Sequence, residues 1–251
     1  MKSCIVVPFY FGPRRVRSGY QTFKSAEDVI DLCVKCHEVY KSWDPGCETD
    51  IIFVNNSPDV EKAVKFLESI NGTSAHRGKF IVLEGNNIGM GFGAHSLAFK
   101  TLRDSYEYWM FTEDDVILKE KNLMKNAINQ LRTDSSIGFV ACYGLAGDHA
   151  HGGIGCTSRK NLIRVWEKYG KLPHHDSVAN LEDNKVFKHT HIIHGEIAFT
   201  KCYIELGMRL EKVNSSSIPY TRWDRKDSPH CDKRDMEAWG AIAECLRDKN
   251  D

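Results

Sequence analysis

Three consecutive carboxylates, Glu113-Asp114-Asp115, directly follow an apolar segment and carry no basic residue beside them in the sequence. Such crowding of like charge is costly unless a cation neutralises it. Mg²⁺ and Mn²⁺ bind carboxylate oxygens and keep coordination positions open for phosphate oxygens. We therefore predict a Mn²⁺ or Mg²⁺ site at these three residues, with Asp114 and Asp115, or Glu113 and Asp115, as the ligand pair. The alternative is a solvated acidic turn that precedes a helix.

A second segment, residues 86–95, combines two asparagines with three alternate glycines. The glycines allow the backbone to approach a ligand closely at the start of a helix. No Gly-Lys-Ser/Thr follows, so the segment is not a P-loop. It also follows the third strand rather than the first and lacks an acidic ribose partner, which argues against a dinucleotide site. The segment predicts a ligand-binding turn of another kind.

The elements that must position these turns alternate along the first half of the chain. Apolar runs predict strands over residues 4–9, 50–54, 79–83 and 108–112. Helical periodicity predicts helices over 26–43, from a cap at Asp59 to 70, and over 93–102. This alternation is typical of an α/β domain with a mostly parallel sheet. In such sheets ligands bind beyond the carboxyl ends of the strands, so the turns at 10–17, 55–56, 86–93 and 113–115 should meet at one edge.

The second half of the chain has a less regular pattern. We predict a helix over 122–131, a strand over 138–143 and then a long loop rich in glycine and histidine. Residues 172–189 are irregular, and the pattern after them predicts a strand over 191–199, a helix over 201–208 and a last helix over 234–246. Between these helices, residues 211–233 form a charge-dense segment with Tyr220 and Trp223. Loops of this length are usually functional or mobile, so this one is a candidate lid.

Composition excludes several classes of protein. The 251 residues carry 34 basic and 34 acidic side chains, so the formal net charge is zero. This charge balance argues against non-specific binding of nucleic acids, which needs an excess of basic residues. The chain has no apolar run of membrane-spanning length, and its N-terminus resembles a strand rather than a signal peptide, which predicts a cytoplasmic protein without a transmembrane segment.

The nine cysteines are odd in number and scattered, which predicts reduced thiols. Cys33 to His37 matches a haem-attachment pattern, but the helical spacing of its apolar residues indicates a buried stripe instead.

Histidines are a further candidate for metal binding. They cluster at His149 and His151, at His174 and His175, and at 189–194. No helix-borne H-E-x-x-H accompanies them, and no closely spaced cysteine pair lies near them in the sequence, so we predict polar surface rather than zinc ligands. His194 remains a candidate supplementary contact to the metal or the acceptor.

The order of these motifs resembles the inverting family 2 glycosyltransferases, which have the GT-A fold. The resemblance covers about residues 4–245 and is carried by six segments: 6–10, 54–59, 87–94, 112–115, 194–207 and 233–239. It departs from the family pattern at Glu113, at Asn55-Asn56 and at Arg234. An asparagine carbonyl can still accept a bond from a nucleotide base, and a cation beside Asp235 would lower the pKa of that carboxyl group.

The resemblance implies one glycosyltransferase domain over 1–251, with a nucleotide-sugar half at 1–118 and an acceptor half at 119–251. It implies a UDP-sugar donor, a carbohydrate or other hydroxyl acceptor, and Asp235 as the base, with Glu237 as the alternative. Arg14, Arg15 and Arg17 are candidate helpers for the leaving diphosphate. The implied donor-binding residues are Pro8, Tyr10, Arg14, Asn55, Asn56, Asn87, Gly89 and Asp114.

Two other classes remain open at this stage. A non-catalytic binder of nucleotide-sugars would explain the departures at Asn55-Asn56 and Arg234, and an activity assay separates it from an enzyme. A nucleotidyltransferase would also combine an α/β sheet with metal-bound carboxylates, but the glycine-rich, lysine-bearing turn expected after its first strand is absent from the sequence.

Overall fold

The computed structural model describes residues 2–12, 26–114, 116–118, 120–142, 144–176, 191–215 and 220–222. Several predicted features lie outside these residues. They are the arginines at 14, 15 and 17, Asp115, Trp223, Asp235, Glu237 and the predicted last helix over 234–246.

The described chain is built around a central sheet of eight strands in the order β11-β7-β10-β5-β1-β2-β4-β3. β1 pairs in parallel with β2 and β5, and β2 pairs in parallel with β4, whereas β10 and β3 are antiparallel to their neighbours. β8 pairs with β9, and β6 with β12, in two small ribbons. The strands are β1 Ser3–Phe9, β2 Thr49–Asn55, β3 Ser74–Ala75, β4 Gly78–Glu84, β5 Tyr108–Phe111, β6 Val116–Leu118, β7 Ile137–Ala141, β8 Leu145–Ala146, β9 His149–Ala150, β10 Gly155–Ser158, β11 Arg209–Lys212 and β12 Tyr220–Arg222.

Helices cover both faces of the sheet. The α-helices are α1 Ala26–Ser42, α2 Glu61–Ile70, α3 Met90–Leu102, α4 Leu123–Thr133, α5 Arg159–Tyr169 and α6 Ala198–Glu205, and a π-helix spans Ile192–Ile197. The helices and the sheet enclose two apolar layers, one on each face of the sheet. Ile5, Val7 and Phe9 of β1 belong to the layer with α1, while Cys4 and Val6 point into the layer on the other face. The predicted α/β class with a mostly parallel sheet is confirmed.

Helix α1 explains the pattern that resembles a haem-attachment motif. Val29, Leu32, Cys33, Cys36 and Tyr40 are all buried, as their i, i+3, i+4, i+7, i+11 spacing requires. The seven described cysteines are free thiols, and burial raises the pKa of Cys33 well above its ordinary value. The predicted buried stripe on α1 is therefore confirmed.

The predicted strand over 191–199 is wrong. The π-helix Ile192–Ile197 occupies this segment and continues directly into α6. Phe199, Cys202 and Tyr203 are buried at helical spacing, and this packing outweighs the local β-propensity of the isoleucines. The helix predicted to reach residue 208 ends at Glu205, and Gly207 follows it with φ of +75°.

The glycine- and histidine-rich loop predicted after β7 also contains regular structure. β10 lies between β5 and β7, and α5 follows it directly. Ser158 caps α5 by accepting a hydrogen bond from the Asn161 backbone N–H at 3.2 Å. The predicted cap at Asp59 is wrong, because α2 begins at Glu61 after Val60 and has no side-chain cap.

Among the described residues, no helix is both long enough and apolar enough to cross a membrane.

Candidate functional site

Four polar turns lie at one edge of the sheet. β5, β1, β2 and β4 are consecutive neighbours and run parallel, so their carboxyl ends point the same way. The segments that follow these strands begin at Tyr10, Asn56, Gly85 and Thr112. The strand order brings the described parts of these turns to one edge, with Pro8, Tyr10, Asn87, Gly89, Glu113 and Asp114 among them.

The turns after β1 and β2 are held together by Ser57. Its hydroxyl oxygen accepts hydrogen bonds from the backbone N–H groups of Phe11 at 2.9 Å and Gly12 at 3.1 Å. Asn55 fixes Ser57 in turn, because Asn55 Oδ1 accepts from the Ser57 N–H at 2.9 Å. Pro8 is buried in β1, and Tyr10 is half-buried just beyond it. The first two turns therefore form a braced backbone surface.

Asn56 links the second turn to the glycine-rich turn. Its Nδ2 donates to the Met90 carbonyl oxygen at 3.3 Å, and the side chain is buried. A Cβ atom on Gly85 would come within 2.2 Å of Asn56 Oδ1, so only glycine allows this approach. In the described structure Asn55 and Asn56 connect neighbouring turns, and their contact with a nucleotide base stays a prediction.

The glycine-rich turn has a backbone suited to an anion. Asn87 and Gly89 adopt left-handed conformations, with φ of 58° and 70°. α3 begins at Met90, and Gly89 at its N-cap supplies no side-chain cap for the first helical N–H groups. Such groups carry the positive end of the helix dipole and bind phosphate or carboxylate. The turn can therefore receive a diphosphate through its backbone.

Gly93 and Gly91 offer a matched pair of substitutions in this turn. A Cβ atom on Gly93 would lie 1.7 Å from the Ile88 carbonyl oxygen, whereas a Cβ on Gly91 would lie 3.4 Å from Pro8 Cγ, an ordinary contact. Gly93→Ala is expected to lower the free energy of unfolding by about 1–3 kcal/mol because the turn must open. Gly91→Ala is expected to be neutral or to stabilise by up to about 1 kcal/mol. Urea unfolding of both variants measures the difference, and equal effects would contradict the close packing of the turn.

Two histidines cover the glycine-rich turn from the second half of the chain. A Cβ on Gly89 would come within 2.4 Å of His174 Cδ2, so the imidazole packs directly on the glycine backbone. Burial lowers the pKa of His174, while its contact with the Leu172 carbonyl at 2.7 Å opposes that shift. His175 Nε2 lies 3.4 Å from His191 Nδ1. His174 and His175, at the described start of the stretch predicted to be irregular, therefore lie against the glycine-rich turn.

The acidic turn begins where β5 ends. The Thr112 N–H donates to the Val6 carbonyl at 3.2 Å, and the Val116 N–H donates to the Glu113 carbonyl at 3.2 Å. Glu113 and Asp114 are both half-buried. A Cβ on Gly152 would lie 3.2 Å from Glu113 Oε1, so this carboxylate lies against the loop after β9. The backbone thus presents the described part of the acidic triplet at the edge where the polar turns meet.

His95 makes a hydrogen bond to the backbone at the start of the acidic turn. This α3 residue is buried, and its Nε2 lies 3.0 Å from the Thr112 carbonyl oxygen. The rings of Phe111 and Phe199 surround it at centroid distances of 4.8 and 5.5 Å. Burial lowers the pKa of His95 to about 3, so the ring is neutral at pH 7 and its Nε2–H donates to Thr112.

Glu196 also contacts Gly152, and the sequence did not identify it as a site residue. The Gly152 N–H donates to Glu196 Oε1 at 2.8 Å, which places a carboxylate from the π-helix beside the acidic turn. His149, His151 and Glu196 have ligand atoms that all lie within 4.8 Å of one another. The His-x-His spacing was the available signal, but the pattern over 191–199 predicted a strand, which hid the position of Glu196.

The sequence matches no protein-family model and no curated protein sequence, whereas the fold is similar to those of several solved structures. A mannosyltransferase from Pyrobaculum calidifontis, solved in complex with GDP-Man and Mn²⁺, superposes with a TM-score of 0.53 at 14% identity, over 94% of this chain and 59% of that chain. TarS from S. aureus gives a TM-score of 0.48 at 14% identity, over 88% and 36% of the two chains. A cytidylyltransferase from Leptospira borgpetersenii gives 0.49 at 12% identity, over 86% and 77%.

The likeness to the mannosyltransferase confirms the expected GT-A-like fold. It spans nearly all of this chain but only about three fifths of the mannosyltransferase, and the match to TarS spans about a third of that protein.

Proposed function

We propose that the chain is a metal-dependent glycosyltransferase that moves a sugar from a nucleotide-sugar donor to an acceptor hydroxyl with inversion. The observation that carries this proposal is the meeting of the glycine-rich turn and the acidic turn at one edge of four parallel strands. The GT-A-like fold supports it, since the mannosyltransferase of similar fold was solved with GDP-Man and Mn²⁺.

The donor diphosphate would bind between these two turns. The uncapped N-terminus of α3 supplies N–H donors and a positive dipole. Glu113 and Asp114, with Asp115 next in the chain, would hold Mn²⁺ or Mg²⁺, and the ion would bind phosphate oxygens. As the bond between the sugar and the diphosphate breaks, negative charge develops on the leaving group. A cation held by these carboxylates would stabilise that charge.

The acceptor hydroxyl must lose a proton during attack, because its pKa lies far above 7. Asp235 is the proposed base, with Glu237 as the alternative, and Arg14 is a proposed helper for the leaving diphosphate. Attack on the face opposite the departing diphosphate inverts the anomeric centre. UDP-sugars are the proposed donors, since an asparagine carbonyl at 55 or 56 can accept from a uracil N–H.

Nucleotide binding should depend on a divalent ion, because adjacent carboxylates repel a diphosphate unless a cation lies between them. Isothermal titration calorimetry with UDP and with GDP, in Mn²⁺ and then in EDTA, measures this. We expect affinity at least about 10-fold higher with Mn²⁺. Asp115→Ala should remove most of that gain and retain the far-UV circular dichroism of the native chain. Equal affinities in Mn²⁺ and EDTA would contradict the role of the acidic triplet.

A further inference from the structure

Two imidazoles and one carboxylate meet beside the acidic turn. His149 and His151 come from β9 and the 3₁₀ turn that follows it, and Glu196 comes from the π-helix. Their ligand atoms all lie within 4.8 Å of one another. Local π-helical turns are rare and recur at functional sites. The three side chains are half-buried or exposed, so an ion from solution can reach them.

Hydrogen bonds to other segments hold the backbone around these residues in place. The Ala150 N–H donates to Thr200 Oγ1 at 2.9 Å, and the His151 N–H donates to the Gly144 carbonyl at 3.0 Å. The Gly152 N–H holds Glu196 Oε1 at 2.8 Å. The ligand positions are therefore fixed by contacts that do not use the imidazole rings.

A second carboxylate orients one of the imidazoles. Asp148 Oδ1 lies 3.3 Å from His149 Nδ1, and Asp148 also pairs with Lys201 at 2.7 Å. A histidine that donates Nδ1–H to a carboxylate keeps its Nε2 lone pair for a metal, and the carboxylate makes that nitrogen a better ligand. This pairing of a ligand with an orienting acid is the usual outer arrangement of histidine metal sites.

We propose that His149, His151 and Glu196 bind one divalent transition-metal ion, distinct from the ion at the acidic triplet. Two imidazoles and a carboxylate suit Zn²⁺ or Co²⁺ better than Mg²⁺ or Ca²⁺. A tetrahedral ion places its donors roughly 3.3 Å apart, so small side-chain rotations close the site. Three protein ligands leave one position open for a substrate oxygen.

Because the site lies next to the acidic turn, an ion bound there would take part in the proposed sugar transfer. Gly152 lies between Glu196 and Glu113, so the site borders the acidic turn. An ion there would bind an oxygen of the acceptor or of the transferred sugar, and this role rests on the proposed function. The existence of the ion site does not rest on it, because the ligands and their distances are independent of any transfer reaction.

Co²⁺ titration of the full chain without nucleotide tests the site directly. Tetrahedral and octahedral Co²⁺ differ in visible absorption, and imidazole ligands shift these bands. We expect one tightly bound ion. The His149→Ala/His151→Ala double variant should weaken its binding at least about 100-fold, Glu196→Gln at least about 10-fold, and Asp148→Asn about 10-fold. Glu196→Gln retains an oxygen that can accept from the Gly152 N–H, so the loop should stay folded.

Two controls separate this proposal from the proposed function. His76→Ala removes a surface histidine beside Asp44, far along the chain, and should leave Co²⁺ binding unchanged. Glu113→Gln with Asp114→Asn should weaken Mn²⁺-dependent nucleotide binding and leave the Co²⁺ spectrum of the histidine site unchanged. If the imidazole-type Co²⁺ spectrum survives the double histidine variant, the site is overturned, whatever the transfer assay shows. If the chain lacks transferase activity but binds Co²⁺ through these histidines, the proposed function falls and the site stands.

Discussion

Asp235→Asn is expected to lower kcat for sugar transfer by about 100-fold or more while the dissociation constant of the donor stays nearly unchanged. Asparagine preserves the size and the hydrogen bonding of the side chain but cannot take a proton from the acceptor hydroxyl. General-base catalysis typically contributes 10²- to 10⁴-fold, and a base that acts only in the transition state affects kcat rather than donor binding. Steady-state transfer rates and nucleotide-sugar calorimetry on the same preparation measure the two quantities.

Glu237→Gln is the matched control for this variant. On the predicted last helix, residues two positions apart point about 200° away from each other. Asp235 and Glu237 therefore cannot both contact the acceptor, and only one of the two variants should lose activity. A loss in Glu237→Gln alone would show that the motif is shifted by two residues.

The anomeric configuration of the product tests the same assignment from another side. A single displacement assisted by one base inverts the anomeric carbon, and proton NMR of the first-formed product reads the configuration directly. If both carboxylate variants keep near-normal kcat and the product shows retention, the family 2 mechanism is rejected. Inversion with both variants active would place the base on another carboxylate.

The sequence predicts the polar edge because its strands are strongly marked. β1, β2 and β5 are mainly apolar, as expected for strands buried on both faces. β2 ends at Asn55, and Tyr10 and Thr112 directly follow β1 and β5. The acidic segment follows β5, and the glycine-rich segment follows the strand β4. The parallel order of these strands then brings their carboxyl ends together, so local patterns were enough to place Asn87, Gly89, Glu113 and Asp114.

The second half of the site could not be predicted in the same way. β10 has only four residues, Gly-Cys-Thr-Ser, and is a strand because β5 and β7 offer hydrogen bonds on both of its sides. The π-helix depends on packing against the loop of Gly152, a contact between residues 44 positions apart. Its local sequence, with two isoleucines, favours a strand. Contacts between residues far apart in the sequence therefore determine that β10 is a strand and that residues 192–197 form a π-helix. These contacts also place Glu196 beside His151.

His95 is expected to make the stability of the protein depend strongly on pH below about 6.5. Its pKa is lowered to about 3 in the folded chain because the ring is buried, and the bond to the Thr112 carbonyl only partly opposes that shift. An unfolded chain has an ordinary histidine pKa of about 6.5, so it binds a proton more readily than the folded chain does. Stability from the neutral ring is therefore fully present above pH 6.5 and is lost as the pH falls toward 3.

The expected size follows from this linkage. Each pH unit in that window costs about 1.4 kcal/mol for one histidine, so His95 should remove about 2 kcal/mol of the free energy of unfolding between pH 7 and pH 5. His95→Gln does not titrate, and its amide can still donate to Thr112. Urea unfolding of both proteins at pH 7 and pH 5 gives the difference attributable to His95, because His37 and His174, whose pKa values are also lowered, are common to both.

The comparison also tests whether His95 supports the acidic turn. His95 Nδ1 is buried without a hydrogen-bond partner among the described residues, so a second proton would have no acceptor within the ring of Phe92, Phe111 and Phe199. Protonation should expel the ring and release the Thr112 carbonyl, which precedes Glu113. Mn²⁺-dependent nucleotide binding should then weaken more steeply in the native chain than in His95→Gln as the pH falls toward 3. Parallel pH profiles of stability and binding in the two proteins would show that His95 titrates normally and does not hold the turn.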